Sequence, residues 1–401
     1  MYVLENRRLT LEPLLNSERY FQEGLLNKST VEKAIEEAIK KIDNNMVHLG
    51  ERFPEPATAN NTYKSMNNVE WTNGFWTGQL WLAYEATGDE KYRELADKHV
   101  ASFLHRIEEN IEVEHHDLGF LYVPSCVAAY KLTGSEDAKK AALLAADKLM
   151  TRFHEKGEFI QAWGELGAKD NYRLIVDCML NIPLFYWASE VTGDEKYKEA
   201  AIKHYQTTVK YAIRDDASAF HTFYFDPETG EPIGGKTRQG YSDDSSWARG
   251  QAWLIYGIAL NYLHVPEEEA IDNYEAVTNY FLNRLPEDFV CYWDLIFTKE
   301  EDQQSRDTSA AAIAVCGMNF MDQFLPATHP RKEVFRHASS AMLKELIEEY
   351  TEVKADGIVP LITEGVYSWH SGKGVSEGNT WGDYFYLEAL IRYHKDWKMY
   401  W

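Results

Sequence analysis

Between residues 80 and 205 one pattern of apolar and polar positions occurs three times. LWLAYEATGDEKYRELADKHV (80–100) returns as VAAYKLTGSEDAKKAALLAADKL (127–149) and again as LFYWASEVTGDEKYKEAAIKHY (184–205). In each copy an apolar stretch runs into a T-G-[DS]-E turn, and a stretch with apolar residues on one face and charges on the other follows. The glycine suits a left-handed cap that ends the first helix, and the acidic residues after it suit the positive start of the second. The pattern predicts helical hairpins, each with a buried inner helix and a solvated outer one.

Weaker copies follow: an inner helix at 247–263 with an outer one at 267–283, then 308–324 with 331–350, then an inner helix at 380–394. The last lacks a downstream partner, and the amphipathic stretch 30–48 supplies one from the other end of the chain. Six inner and six outer helices closed in this way predict an all-α fold, an (α/α)6 barrel. An open helical solenoid is the alternative, and the filled vacancy favours closure. No Gly/Ser/Pro-rich linker divides the chain, so one domain over 1–401 is expected.

In such a ring the N-terminal ends of the inner helices open on one face. WTNGFW (71–76), HHDLGF (115–120), Asp177, WARGQAW (247–253), RDT (306–308) and NTWGD (379–383) all fall there. Trp71, Trp76, Trp247, Trp253 and Trp381 are thereby expected at the mouth, with loops 206–246 and 351–379 covering it. The stretch NYRLIVDCMLNIPL (171–184) sets one carboxylate, Asp177, in an apolar run. An aspartate there reads either as a helix cap or as an acid whose pKa burial raises. A second aspartate, Asp117 in EHHDLGFLY, stands at the equivalent place one hairpin earlier. Two carboxylates brought together from neighbouring helices can do acid–base chemistry.

The net charge of −23 excludes non-specific nucleic-acid binding and docking on an anionic membrane, so an acidic ligand would need a local cluster of Arg, Lys and His. The 12 tryptophans and 25 tyrosines suit a sugar cleft as well as a large core. The first twenty residues contain no apolar h-region, and no apolar run is long enough to span a bilayer. The four cysteines form no C-x-x-C pair, as expected of a soluble cytoplasmic protein. There is no G-x-S-x-G elbow or H-E-x-x-H motif, and SGKG (371–374) lacks P-loop spacing. His115-His116-Asp117 lacks metal-ligand spacing, while Asp215-Asp216 and Asp243-Asp244 read as solvated or turn-forming. No cofactor or metal is suggested, and the oligomeric state is not fixed.

The two aspartates, WARGQAW and FHTFYFD (220–226), set on TGDEKY-type hairpins, resemble the unsaturated glucuronyl hydrolases of glycoside hydrolase family 88. The resemblance runs roughly from Trp71 to Asp383 and implies the same (α/α)6 barrel. It implies a small oligosaccharide substrate left by a polysaccharide lyase, with a 4,5-unsaturated uronic acid at its non-reducing end. By resemblance Asp177 is the general acid and base, and Asp117 its partner, holding a ring hydroxyl. A proton goes to C4 of the vinyl ether, water adds at C5, and the hemiketal opens to release the leaving sugar. His221, Gln239, Trp247, Arg249 and Trp253 match substrate-site positions, with Arg249 and Gln239 expected to donate to the uronate carboxylate and hydroxyls. Trp71 and Trp163 match positions for ring stacking. Arg238 with Ser368, Ser371 and Lys373 resembles the arginine plus S-x-x-S-x-K pattern of members that prefer sulfated disaccharides. The expectation is action on unsaturated chondroitin- or hyaluronan-type disaccharides. The alternatives are an unsaturated rhamnogalacturonyl hydrolase, a sugar epimerase and a non-catalytic carbohydrate-binding toroid.

Overall fold

A computed structural model describes residues 9–299 and 303–401; residues 1–8, part of the stretch expected to contain no apolar h-region, and 300–302 lie outside the described residues. After α1 (Glu18–Gln22) and α2 (Lys28–Leu49) come α3 (Asn73–Thr87) with α4 (Glu90–Glu108) and α5 (Leu118–Tyr122). Then follow α6 (Ala128–Thr133) with α7 (Glu136–Met150), and α8 (Pro183–Thr192) with α9 (Glu195–Tyr211). The chain continues through α10 (Ala248–Tyr262) with α11 (Glu268–Leu282), α12 (Thr308–Asp322) with α13 (Lys332–Glu349), and α14 (Thr380–His394).

The three strong repeats fold as their turns require. Gly88, Gly134 and Gly193 take φ of +72°, +73° and +71°, and each donates its N–H to the carbonyl four residues back. Asp89, Ser135 and Asp194 then accept backbone N–H bonds at the starts of α4, α7 and α9. α3 is buried from Asn73 through Ala83, whereas α2 buries only a stripe containing Val31, Ala34, Ile35, Ala38 and Ile42. Among the inner helices α3 packs on α14, α14 on α12, and α12 on α10; α2 lies against α14 and α3. A 3₁₀ turn (Val176–Leu180) preceding α8 packs on α10, and a π turn (Val123–Val127) between α5 and α6 packs on α3 and α8.

Those two turns correct the expectation of unbroken inner helices. Pro124 has no N–H to continue the ladder, and Pro183 pre-sets the first residue of α8. The described residues are mostly helical, but the all-α expectation also misses four short antiparallel sheets. β1 (Phe53–Pro54) pairs with β2 (Ser65–Met66), and β3 (Phe153–His154) with β4 (Phe159–Ile160). β5 (Arg173–Ile175), β6 (Thr222–Phe225) and β7 (Pro232–Lys236) form a three-stranded sheet. β8 (Gly365–Ser368) and β9 (Lys373–Glu377) form a hairpin within 351–379. β5 pairs with a strand nearly fifty residues on, whereas β3–β4, β6–β7 and β8–β9 are local hairpins. α9 runs to Tyr211, so the loop expected from 206 begins later. No helix among the described residues is long and apolar enough to cross a membrane.

Candidate active site

The starts of the inner helices converge on a cavity of about 450 Å³, within the range of small-molecule pockets. Both aspartates line it, as do Trp71, Trp163, Trp247 and Trp253. His221, Arg238, Gln239 and Arg249 complete the set of expected residues found there. Asp117 stands at the N-cap of α5 and Trp247 at that of α10, and Asp177 lies in the 3₁₀ turn that starts at Val176.

Close backbone packing brings the two acids together. A Cβ on Gly119 would fall 2.3 Å from Asn181 Cα, so only glycine lets α5 meet the 3₁₀ turn here. Asn181 uses that contact: its Oδ1 accepts the Phe120 N–H at 2.7 Å, and its Nδ2 donates to Asp117 Oδ1 at 3.4 Å. Asp117 Oδ2 also accepts the indole N–H of Trp163 at 2.9 Å. Trp163 in turn lies flat on His115, 4.3 Å between ring centres, while remaining 39% exposed. His115 is fully engaged, because Nδ1 accepts the Asp117 N–H and Nε2 bonds the Glu112 carbonyl.

Burial raises both acids. Asp117 is held well above the usual carboxylate range by burial and by the charge of Asp177. Asp177 is pushed up to about 7 by burial, which Arg249 and two backbone N–H bonds oppose. The pair therefore retains a proton near neutrality. Trp163 and Asn181 offer N–H groups that favour charge on Asp117, whereas Asp177 Oδ1 is buried with no hydrogen-bond partner.

His221 presents a fixed tautomer. Its Nδ1 accepts the Arg238 backbone N–H at 2.8 Å, so Nε2 carries the hydrogen, buried and without a partner beside the cavity. Burial pushes this ring down to about 3, so it is a neutral donor.

Three expectations need correction. Arg249 is not an open pair of donors: Nη1 bonds Asp307 at 2.8 Å and the Val366 carbonyl at 2.6 Å. Its Nη2 bonds Gln239 Oε1 at 2.9 Å and the Tyr367 carbonyl at 3.0 Å, so the guanidinium organises the wall. Trp76 and Trp381 are buried rather than lining; Trp381 donates to Ser309 and backs Trp71 at 5.2 Å. Ser368, Ser371 and Lys373 lie on the β8–β9 hairpin outside the lining. Ser371 donates to the Ser368 carbonyl, and Lys373 sits over the ring of Tyr367, which does line the cavity.

Sequence reading missed Glu70, Arg173, Ile175 and Tyr367. One signal was available, since Arg173, Ile175 and Asp177 recur every second residue, the spacing of one strand face. Asn181 was also visible as a lone amide in the apolar run. His116 Nε2, Asp117 Oδ1 and Asp177 Oδ1 lie within 4.8 Å of one another, close enough in principle to hold a cation. The same spacing serves proton sharing between acids, which needs no ion.

The family model described as Glycosyl Hydrolase Family 88 matches residues 38–395. The "Unsaturated chondroitin disaccharide hydrolase" of Streptococcus agalactiae serotype III is 56% identical over 399 residues, covering 100% of both chains. A crystal structure of unsaturated glucuronyl hydrolase from Streptococcus agalactiae superposes with a TM-score of 0.98 at 56% identity, covering 99% of this chain and 100% of the other. An aspartate-to-asparagine mutant of that enzyme, solved in complex with dGlcA-GalNAc6S, superposes with a TM-score of 0.90 at 52% identity, over 99% and 100% of the two chains.

Proposed function

The chain belongs to Glycosyl Hydrolase Family 88, and we propose that it is an unsaturated glucuronyl hydrolase acting on lyase-derived chondroitin- or hyaluronan-type disaccharides. The observation that carries the reading is the buried pair Asp117 and Asp177, holding a proton at the wall of a sugar-sized cavity. The cyclic packing of the inner helices supports an (α/α)6 barrel that forms one catalytic domain. The four buried, unpaired cysteines support work in the cytoplasm on an imported disaccharide.

Asp177 delivers its proton to C4 of the vinyl ether, and positive charge develops at C5 and the ring oxygen. Its carboxylate then takes a proton from water as the water oxygen bonds to C5. The resulting hemiketal opens to a ketone, which leaves C1 as a hemiacetal that expels the second sugar as an alcohol. Asp117, ionised and held by Trp163 and Asn181, accepts hydrogen bonds from ring hydroxyls and keeps the shared proton on Asp177. His221 Nε2–H and the Gln239 amide, whose oxygen Arg249 holds, present N–H donors to the uronate. Trp71 and Trp163 offer indole surface for the sugar rings.

Because Asp177 works first as an acid, its activity belongs to the protonated form. With its pKa about 7, kcat/KM is expected to fall about tenfold per unit above that pH. A pH–rate profile already falling from pH 4 would show an ordinary, solvated aspartate instead.

Arg238, exposed at the rim, and Lys373 on the hairpin support acceptance of a sulfated second sugar. An Arg238→Ala/Lys373→Ala double variant is expected to lose about tenfold in kcat/KM on a 6-sulfated disaccharide and little on its unsulfated counterpart. Equal effects on both substrates would remove the sulfate site. Unsaturated rhamnogalacturonan disaccharide, whose second sugar is neutral, is expected to be the poorer substrate; the reverse preference would move the assignment to that activity.

A further inference from the structure

His116 stands at the acid pair yet has no task in the chemistry above. It is 0% exposed, with Nε2 3.3 Å from Asp117 Oδ1 and 3.4 Å from Asp177 Oδ1. Among the described residues neither ring nitrogen completes a hydrogen bond. Asp177 Oδ1, which faces this ring, is buried and equally without a partner. The Asp177 side chain is 16% exposed, so Oδ2 is the oxygen open to the cavity.

Burial, together with nearby His115 and Arg152, holds the His116 ring well below its usual range, so it is neutral and carries one N–H. A hydrogen on Nδ1 would leave that N–H orphaned in the core and turn a lone pair towards the carboxylate oxygens. A hydrogen on Nε2 points a donor at two acceptors and leaves only an unfilled acceptor behind, the better-tolerated defect. Of the two oxygens facing Nε2, Asp117 Oδ1 already accepts from Asn181 whereas Asp177 Oδ1 has no partner, so the acceptor in need is Asp177 Oδ1.

We propose that His116 is a positioning residue: its Nε2–H donates to Asp177 Oδ1 and so keeps the acid's proton on Oδ2, the oxygen that faces the substrate. A carboxylic acid that accepts a hydrogen bond on one oxygen carries its proton on the other. Without the donor, the proton can sit on Oδ1 in the closed gap beside Asp117, where it cannot reach C4. The distance of 3.4 Å is long for such a bond, as is common before a substrate tightens a catalytic site. This inference rests on the assignment of Asp177 as the acid.

The test compares His116→Leu, which has no donor, with His116→Gln, which restores an N–H. Folding is checked by thermal denaturation, and turnover is measured on an unsaturated chondroitin disaccharide. His116→Leu is expected to lower kcat by roughly tenfold or more with KM within about twofold, and His116→Gln to recover a substantial part of the loss. A Leu variant with unchanged kcat overturns the proposal, as does a loss confined to KM or equal loss in both variants. Should His116→Leu not fold, His116→Met takes its place in the same comparison. Failure of the assignment itself is distinguishable, because wild-type protein would then leave the enoate intact.

Discussion

Replacing Asp177 with asparagine is expected to lower kcat by on the order of 10³-fold while leaving the fold and KM nearly unchanged. The amide has the carboxyl's shape but no acidic proton for C4, and it cannot take the proton from water afterwards. Little stability should be lost, because Asp177 Oδ1 has no hydrogen-bond partner to forfeit and the group is already raised towards its neutral form. Substrate affinity should hold because the indoles, His221 and Gln239 remain in place. Steady-state kinetics and a thermal melt check both halves. A variant retaining a tenth or more of wild-type kcat would mean that the proton comes from another group.

Asp307→Ala is expected to destabilise the protein by about 3–5 kcal/mol, the usual penalty for leaving one partner of a buried ion pair uncompensated. Asp307 is 0% exposed and Arg249 2% exposed, and their contact is 2.8 Å. The substitution also removes the cap of α12, since Asp307 Oδ1 accepts the Ala310 N–H and the Ser309 hydroxyl. Activity should fall with stability, because Arg249 fixes Gln239 and the Val366 and Tyr367 carbonyls. Equilibrium urea denaturation measures the effect. A loss below about 1 kcal/mol would mean that water reaches the guanidinium and the ion pair is effectively solvated.

The hairpins were legible because their signals are local. A T-G-[DS]-E turn specifies a left-handed glycine and a capping Asp or Ser within four residues, and Gly88, Gly134 and Gly193 adopt that conformation. Asp177 was legible because a lone acid in an apolar run has few structural explanations. β5 was not, since it depends on β6 nearly fifty residues later, and strand preference follows its surroundings more than its sequence. Arg249 misled for a similar reason. Its partners Asp307 and the Val366 carbonyl lie 58 and 117 residues away, so nothing near WARGQAW reveals that the guanidinium is already engaged. Tryptophans at helix mouths divided by depth: Trp71 borders the cavity while Trp381, at the start of another inner helix, packs behind it.

The account stands on hydration of the C4=C5 bond by Asp177. The most direct measurement follows enoate ultraviolet absorbance and release of the second sugar together, with purified protein on unsaturated chondroitin disaccharide and with the Asp177→Asn variant as control. The expected result is loss of the enoate band at the pace of sugar release with wild type, and neither change with the variant. Release of the sugar while the band persists would contradict it, because the glycosidic bond would then be broken without hydration.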